Sequence, residues 1–360
     1  MIYTYEEAKP YLRFFGRMLE DPVRGGLYIN WSTAGIRVRF KGTKLAIRFE
    51  AIGNKNMMDP AAPMEYPWMA VIREDMAIHE RILLTEEDAW VTALSGEYGV
   101  HELGVIKLTE NFRGKVRLIA FECDGELLPV VDLEERPRIE FIGDSITCGY
   151  GNEEPDPTQH FKTETENGWD AYGPRAAREA GAEWSVIAVS GIAISRGMDP
   201  LPFMTEGFAM ENQYRYTDRS VCELRDLLKA EWDFAARPND VVVLNLGTND
   251  ATQIAFSRDM PAAEAFFRER YSTFIREIRR LNGPEPFIVC ALGTLDYYLY
   301  EDIRDCVEAY RKETGDERIS CFKFGHTNMM REGFGADMHP SMKTHERMGH
   351  ELAAYLKTII

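Results

Sequence analysis

Ser145 and His339 are the residues in this sequence whose neighbours best suit them to chemistry. Ser145 lies in Phe141–Gly151, FIGDSITCGYG, where the apolar run ending at Ile142 meets Gly143 and Asp144. Such a run, ended by small and polar residues, reads as a buried strand entering a sharp turn. A serine at the tip of a backbone-fixed turn suits a nucleophile with amide N–H groups nearby to hold an oxyanion. His339, in Asp337-Met338-His339-Pro340, suits the base that takes the serine proton, because imidazole titrates near neutral pH. Asp337 stands two residues earlier, placed to hold the other ring nitrogen and to stabilise the imidazolium. Two more blocks follow apolar runs. Ser190-Gly191 comes after Val186–Val189, and Gly247-Thr248-Asn249-Asp250 comes after Val241–Leu246. Each block has a plainer reading. Gly-Asp-Ser and the Gly191 and Asn249 stretches also suit ordinary turns, and Asp337 could cap the next helix.

Taken together, the four blocks resemble the SGNH (GDSL-type) hydrolases in order and spacing: Gly143-Asp144-Ser145-Ile146-Thr147, Gly191, Gly247-Thr248-Asn249-Asp250 and Asp337-x-His339-Pro340. The resemblance implies a Ser-His-Asp mechanism carried by Ser145, His339 and Asp337. It implies an oxyanion hole made by the backbone N–H groups of Ser145 and Gly191 and the side-chain amide of Asn249. In carbohydrate-active relatives a backbone carbonyl can replace the acid, which leaves the role of Asp337 open. Asp144 and Asp250 are expected to brace loops. Nearly the whole chain is similar to carbohydrate esterase family two, which joins a jelly-roll β-sandwich to an SGNH domain and removes acetyl groups from sugars. Phe15-Gly16-Arg17, Gly35–Phe40 with Gly42-Thr43, Ile142–Asn152, Glu166-Asn167, Ser190-Gly191-Ile192 and His339-Pro340-Ser341 carry that likeness. Relatives often place an aromatic residue between the acid and the histidine; here it is Met338.

The elements that must position these residues fall into two kinds. Residues 1–135 read as β-rich, after a helical turn at Tyr5–Leu12 that Pro10 limits. Gly35–Phe40 and Leu45–Glu50 alternate apolar and charged residues, as half-buried strands do, and Lys41-Gly42 between them suggests a hairpin turn. Further strands are expected at 68–73, 80–84, 99–109 and 115–123. Many short strands without a long helix predict a β-sandwich. From 136 to 360 the pattern changes. Apolar runs at 138–142, 184–189, 241–246, 287–292 and 319–324 alternate with helical patterns near 170–180, 218–235, 262–281, 301–313 and 344–358. Strands buried on both faces between amphipathic helices predict a parallel sheet sandwiched by helices, an α/β fold with its ligand site at the carboxyl ends of the strands. The boundary is expected near Leu133–Pro137, where charges and a proline follow a β-type run.

Composition excludes several function classes. The chain has 360 residues, 45% of them apolar, and a net charge of −17. That charge repels phosphate backbones and anionic lipid surfaces, so neither nucleic acid nor membrane is an expected partner. The N-terminus has no basic-then-apolar leader pattern, and the six cysteines are scattered, several of them inside apolar runs. Both features predict a cytoplasmic protein with reduced thiols. No nucleotide loop and no G-x-S-x-G elbow occur. His345-Glu346-Arg347-Met348-Gly349-His350 resembles a zinc motif, but its histidines are five apart, about 500° around a helix. No metal or cofactor is implied. The expected substrate is an acetylated oligosaccharide, with Trp169, Tyr297, Tyr298 and Tyr300 as possible sugar platforms or, more plainly, core aromatics. A lipolytic or thioester-cleaving enzyme and a non-catalytic carbohydrate-binding protein stay open as alternatives. The sequence leaves the sugar, the hydroxyl position and the oligomeric state open.

Overall fold

A computed structural model of the chain describes residues 1–55, 63–85, 88–130, 135–200 and 204–360. It divides into two compact units: Met1–Glu135 with Lys162–Gly168, and Arg136–Phe161 with Trp169–Ile360. The linker expected at Leu133–Pro137 falls partly on Leu133 and Glu134, outside the described residues.

Among the described residues of the first unit, ten strands join one antiparallel sheet through two long strands, Gly35–Ile52 and Ala89–Lys107. Ile36, Val38 and Phe40 alternate inward along the first of these and are fully buried, so hydrophobic burial fixes its register. The hairpin expected at Lys41-Gly42 is absent. The strand runs on beside its partner, with register breaks between Gly42 and Lys44 and between Leu45 and Ala46. Asp124 accepts hydrogen bonds from the Thr43 and Lys44 amides at 2.9 and 3.0 Å, which satisfies backbone donors at the break. The helical turn expected at Tyr5–Leu12 forms as Tyr5–Ala8 followed by a 3-10 turn, Lys9–Tyr11, with Pro10 inside it. The segment Lys162–Gly168 is tied to the strands of this unit: the Gly168 amide donates to Leu108 O at 3.1 Å, and the Glu110 amide donates to the Glu166 carboxyl at 3.0 Å.

Among its described residues the second unit is built on five parallel strands in the spatial order 183–188, 138–143, 241–245, 287–292, 319–323. Ile139, Phe141, Val241, Val243 and Val289 pack into one buried cluster with Tyr172, Met348 and Leu352 from the helices Tyr172–Ala180 and Met342–Leu356. Fully burying each such side chain stabilises the fold by about 1.5–3 kcal/mol. The helices Met260–Asn282 and Tyr300–Thr314 stand where helical periodicity places them. The helix expected over 218–235 is only Arg219–Leu224. Leu224 and Leu228 are 54% and 95% exposed, so no buried apolar stripe continues it, and Asp226 turns left-handed. Among the described residues no helix is long and apolar enough to cross a membrane.

This order makes 138–143 the strand from which the chain leaves first to one side and then to the other. Such a switch point leaves a crevice at the carboxyl ends of the strands. Ser145, Gly191 and Asn249 follow the three adjacent strands 138–143, 183–188 and 241–245.

Candidate active site

Strand 138–143 ends in a turn tight enough to dictate its residues. A Cβ on Gly143 would stand 1.9 Å from Thr147 Oγ1, so only glycine fits. Asp144 then caps the helix Ser145–Cys148, its carboxyl accepting from the Ile146 amide at 3.0 Å. Ser145 is thereby fixed at the first helical position.

His339 arrives from a loop locked onto that turn. Gly151 is left-handed (φ 53°), and a Cβ there would stand 2.4 Å from the Ala336 Cβ, so the two segments approach to backbone distance. The Ala336 amide donates to Gly151 O at 3.0 Å and the Met342 amide to Asn152 O at 3.0 Å. In consequence His339 Nε2 lies 2.9 Å from Ser145 Oγ.

The Asp337 carboxylate makes its contacts away from this ring, whereas a Ser-His-Asp triad would place it on Nδ1. Asp337 and Met338 both adopt left-handed backbone, with φ of 47° and 62°, and this turns the Asp337 side chain away from His339. Its carboxylate accepts from the Phe161 amide at 2.9 Å and the Tyr150 hydroxyl at 3.0 Å, and it meets His160 Nδ1 at 2.9 Å. The group facing His339 Nδ1, at 3.3 Å, is the main-chain oxygen of Asp337. A carbonyl only accepts, so the arrangement fits the tautomer with the proton on Nδ1 and a lone pair on Nε2 toward the serine. Burial alone would raise the Asp337 carboxyl; the Phe161, His160 and Tyr150 bonds outweigh it and hold the group below its ordinary range.

Asn249 links the other two expected positions. It sits in the first turn of the helix Thr248–Ala255, and its Nδ2 donates to Ile192 O at 2.9 Å and to the Asp144 carboxyl at 3.3 Å. It thus bridges the residue after Gly191 and the residue before Ser145. Asp250, next to it, accepts from the Ile194 amide at 3.2 Å. Burial pushes the Asp144 and Asp250 carboxyls up to about 7, against the backbone N–H bonds each accepts, and Asp144 adds repulsion at Asp250.

The expected sugar platforms have other contacts. Trp169 is 5% exposed, packed on Trp184 and under the Arg178 guanidinium. Tyr297 donates to Phe324 O at 3.0 Å, Tyr298 bonds to Glu264, and Tyr300 carries Lys323 over its ring. An aromatic against the base, Tyr150, was not among the expected platforms. Tyr150 lies tilted against the His339 ring, with 4.2 Å between centroids, and stacks on Phe161 at 4.2 Å. Its signal was its place in FIGDSITCGYG, within the stretch Ile142–Asn152 that carries the family likeness. Of the zinc-like pair, His345 is buried and accepts from the Tyr172 amide, whereas His350 lies exposed against Glu179. Among the described residues no cluster of three metal-ligating side chains occurs.

The pattern of the GDSL-like lipase/acylhydrolase family matches residues 141–347. The chain belongs to the GDSL-like lipase/acylhydrolase family. The chain is 30% identical over 366 aligned positions to the cellulase/esterase CelE of Acetivibrio thermocellus, covering 98% of this chain but only 40% of that protein's length. It is 25% identical to an acetylxylan esterase / glucomannan deacetylase of Cellvibrio japonicus, covering 99% of this chain and 93% of that protein. Among solved structures, a family two carbohydrate esterase from Clostridium thermocellum in complex with cellohexaose superposes with a TM-score of 0.80 at 29% identity, over 96% of this chain and 98% of that one.

Proposed function

We propose that this acylhydrolase is a serine esterase that removes O-acetyl groups from carbohydrates. The observation that carries the reading is the 2.9 Å contact between Ser145 Oγ and His339 Nε2, at the carboxyl end of the central strand. Nε2 takes the serine proton as Oγ attacks the acetyl carbonyl carbon, and the carbonyl π electrons move onto oxygen. The backbone N–H groups of Ser145 and Gly191 and the Asn249 amide are assigned to that oxyanion. The long 3.3 Å bond from Asn249 to Asp144 is the one such a charge displaces most readily. Protonated His339 then gives its proton to the sugar oxygen as the C–O bond breaks. Water, deprotonated by His339, attacks the acetyl-serine carbonyl, and His339 returns that proton to Ser145 Oγ as the acyl–oxygen bond breaks and acetate leaves. The Asp337 main-chain oxygen, rather than its carboxylate, holds Nδ1 throughout.

The substrate class rests on the two esterase relatives, which match across almost the whole chain, and on the cellohexaose-bound structure. We read the antiparallel N-terminal unit as a jelly-roll sandwich, its two long strands passing from one layer to the other at the break near Gly42-Thr43. The six cysteines, five of them buried, support a reducing compartment and soluble oligosaccharides as substrate. The reading is tested by measuring acetate release from acetylated xylo- and manno-oligosaccharides beside hydrolysis of short- and long-chain 4-nitrophenyl esters. Turnover of the acetylated sugars and short esters is expected. Preference for long acyl chains with no sugar deacetylation would replace it with a lipolytic reading.

A further inference from the structure

Tyr150 joins three parts of the site that the mechanism keeps separate. The helix carrying Ser145 ends at Gly149 in left-handed backbone (φ 80°), and the Tyr150 amide bonds to Ser145 O at 3.1 Å. That turn swings the Tyr150 side chain back against the base. Its ring centroid stands 4.2 Å from that of His339, with 35° between the planes. Its hydroxyl donates to the Asp337 carboxyl at 3.0 Å, and its other face stacks on Phe161, whose amide donates to that same carboxyl.

This arrangement bears on the charge that forms on the base. When His339 takes the serine proton, the carbonyl 3.3 Å from Nδ1 offers a dipole to the new charge. The face of an aromatic ring attracts a cation within about 6 Å of its centroid. The carbonyl, in turn, aims at Nδ1 only while two successive non-glycine residues stay left-handed, a conformation that L side chains adopt at a cost.

We propose that Tyr150 is a positioning residue for His339: its ring supports the imidazole and favours the imidazolium, and its hydroxyl holds the Asp337 loop so that the Asp337 carbonyl stays on Nδ1. The inference rests on His339 being the base. Titratable groups near the ring include Tyr150; Asp337, with His160 against it; and His345, on the helix that follows.

The test compares wild type, Tyr150→Phe, Tyr150→Leu and Tyr150→Met in kcat/KM against pH with a short acetyl ester, with melting temperatures recorded for each. Tyr150→Phe keeps the ring and loses the bond to Asp337; kcat is expected to fall about three- to tenfold, with the acid limb unmoved. The two aromatic-free variants lose the support for the cation, so the acid limb should move to lower pH by about half a unit or more, and kcat should fall further. Met, unbranched and adaptable, gives a second chance of a folded protein where Leu leaves a gap. An acid limb unchanged in the aromatic-free variants, with activity tracking melting temperature, makes Tyr150 a packing residue and overturns the proposal. A Tyr150→Phe enzyme as fast as wild type removes the hydroxyl's part in it. An inactive wild type is a separate result, bearing on the esterase reading instead.

Discussion

The ring nitrogen Nδ1 of His339 lies 3.3 Å from the main-chain oxygen of Asp337, while the carboxylate of that same Asp337 points to Tyr150, Phe161 and His160. One residue thus touches the base through its backbone and braces the loop through its side chain. The two roles separate in a mutant. Asp337→Asn keeps the shape and an acceptor oxygen for the Phe161 amide, so kcat should fall no more than about tenfold. In a full triad the same change costs about 10⁴ in kcat, because the wrong tautomer is favoured. Steady-state kinetics at saturating ester distinguishes the two; a loss of the larger size would restore the carboxylate to the mechanism.

Asn249 should act on the transition state more than on the ground state. Loss of one oxyanion donor lowers kcat by about 10²–10³, with KM little changed. Asn249→Ala is expected to show that split. The variant also loses the bond to Ile192 O, so its melting temperature belongs in the same experiment. A rise in KM at constant kcat would make Asn249 a substrate-binding group instead.

The arrangement of Asn249 and Asp337 marks where the sequence stops being legible. Strands 138–143, 183–188 and 241–245 are readable because solid apolar runs have one good solution, burial on both faces. Ser145 and His339 stand out through their neighbours. The direction of the Asp337 side chain does not, because spacing places it within reach of His339 and only the left-handed backbone at 337 and 338 turns it away. Nothing in Asp-Met announces that conformation. The same limit applies to Lys41-Gly42. A glycine between two alternating runs suits a hairpin, but the carboxyl that serves the amides at the break, Asp124, is remote in sequence. The helical pattern at 218–235 fails for a third reason: periodicity needs a partner surface, and Leu224 and Leu228 have none to bury against.

The buried carboxyl of Asp250 makes stability depend on pH. Burial holds it up at about 7, above the ordinary carboxyl value of about 4. Between those values the folded protein keeps a proton that the unfolded chain has released, so this group's stabilising contribution declines as pH rises through the window. His345, which burial lowers to about 3, acts with the opposite sign and is common to wild type and variant. Asp250→Asn removes the carboxyl proton while keeping an acceptor for the Ile194 amide. Calorimetry at pH 5 and pH 8 should show the variant gaining in melting temperature on wild type at the higher pH. Curves that stay parallel would mean that Asp250 does not hold its proton in this window.

The most direct test of the central claim is acetate released from an acetylated xylo-oligosaccharide by wild type and by Ser145→Ala, at matched concentration and with melting temperatures compared. Without the serine hydroxyl no acetyl-enzyme forms, so release should fall by about 10³-fold or more in a variant that melts like wild type. Release at the wild-type rate from folded Ser145→Ala would contradict the account.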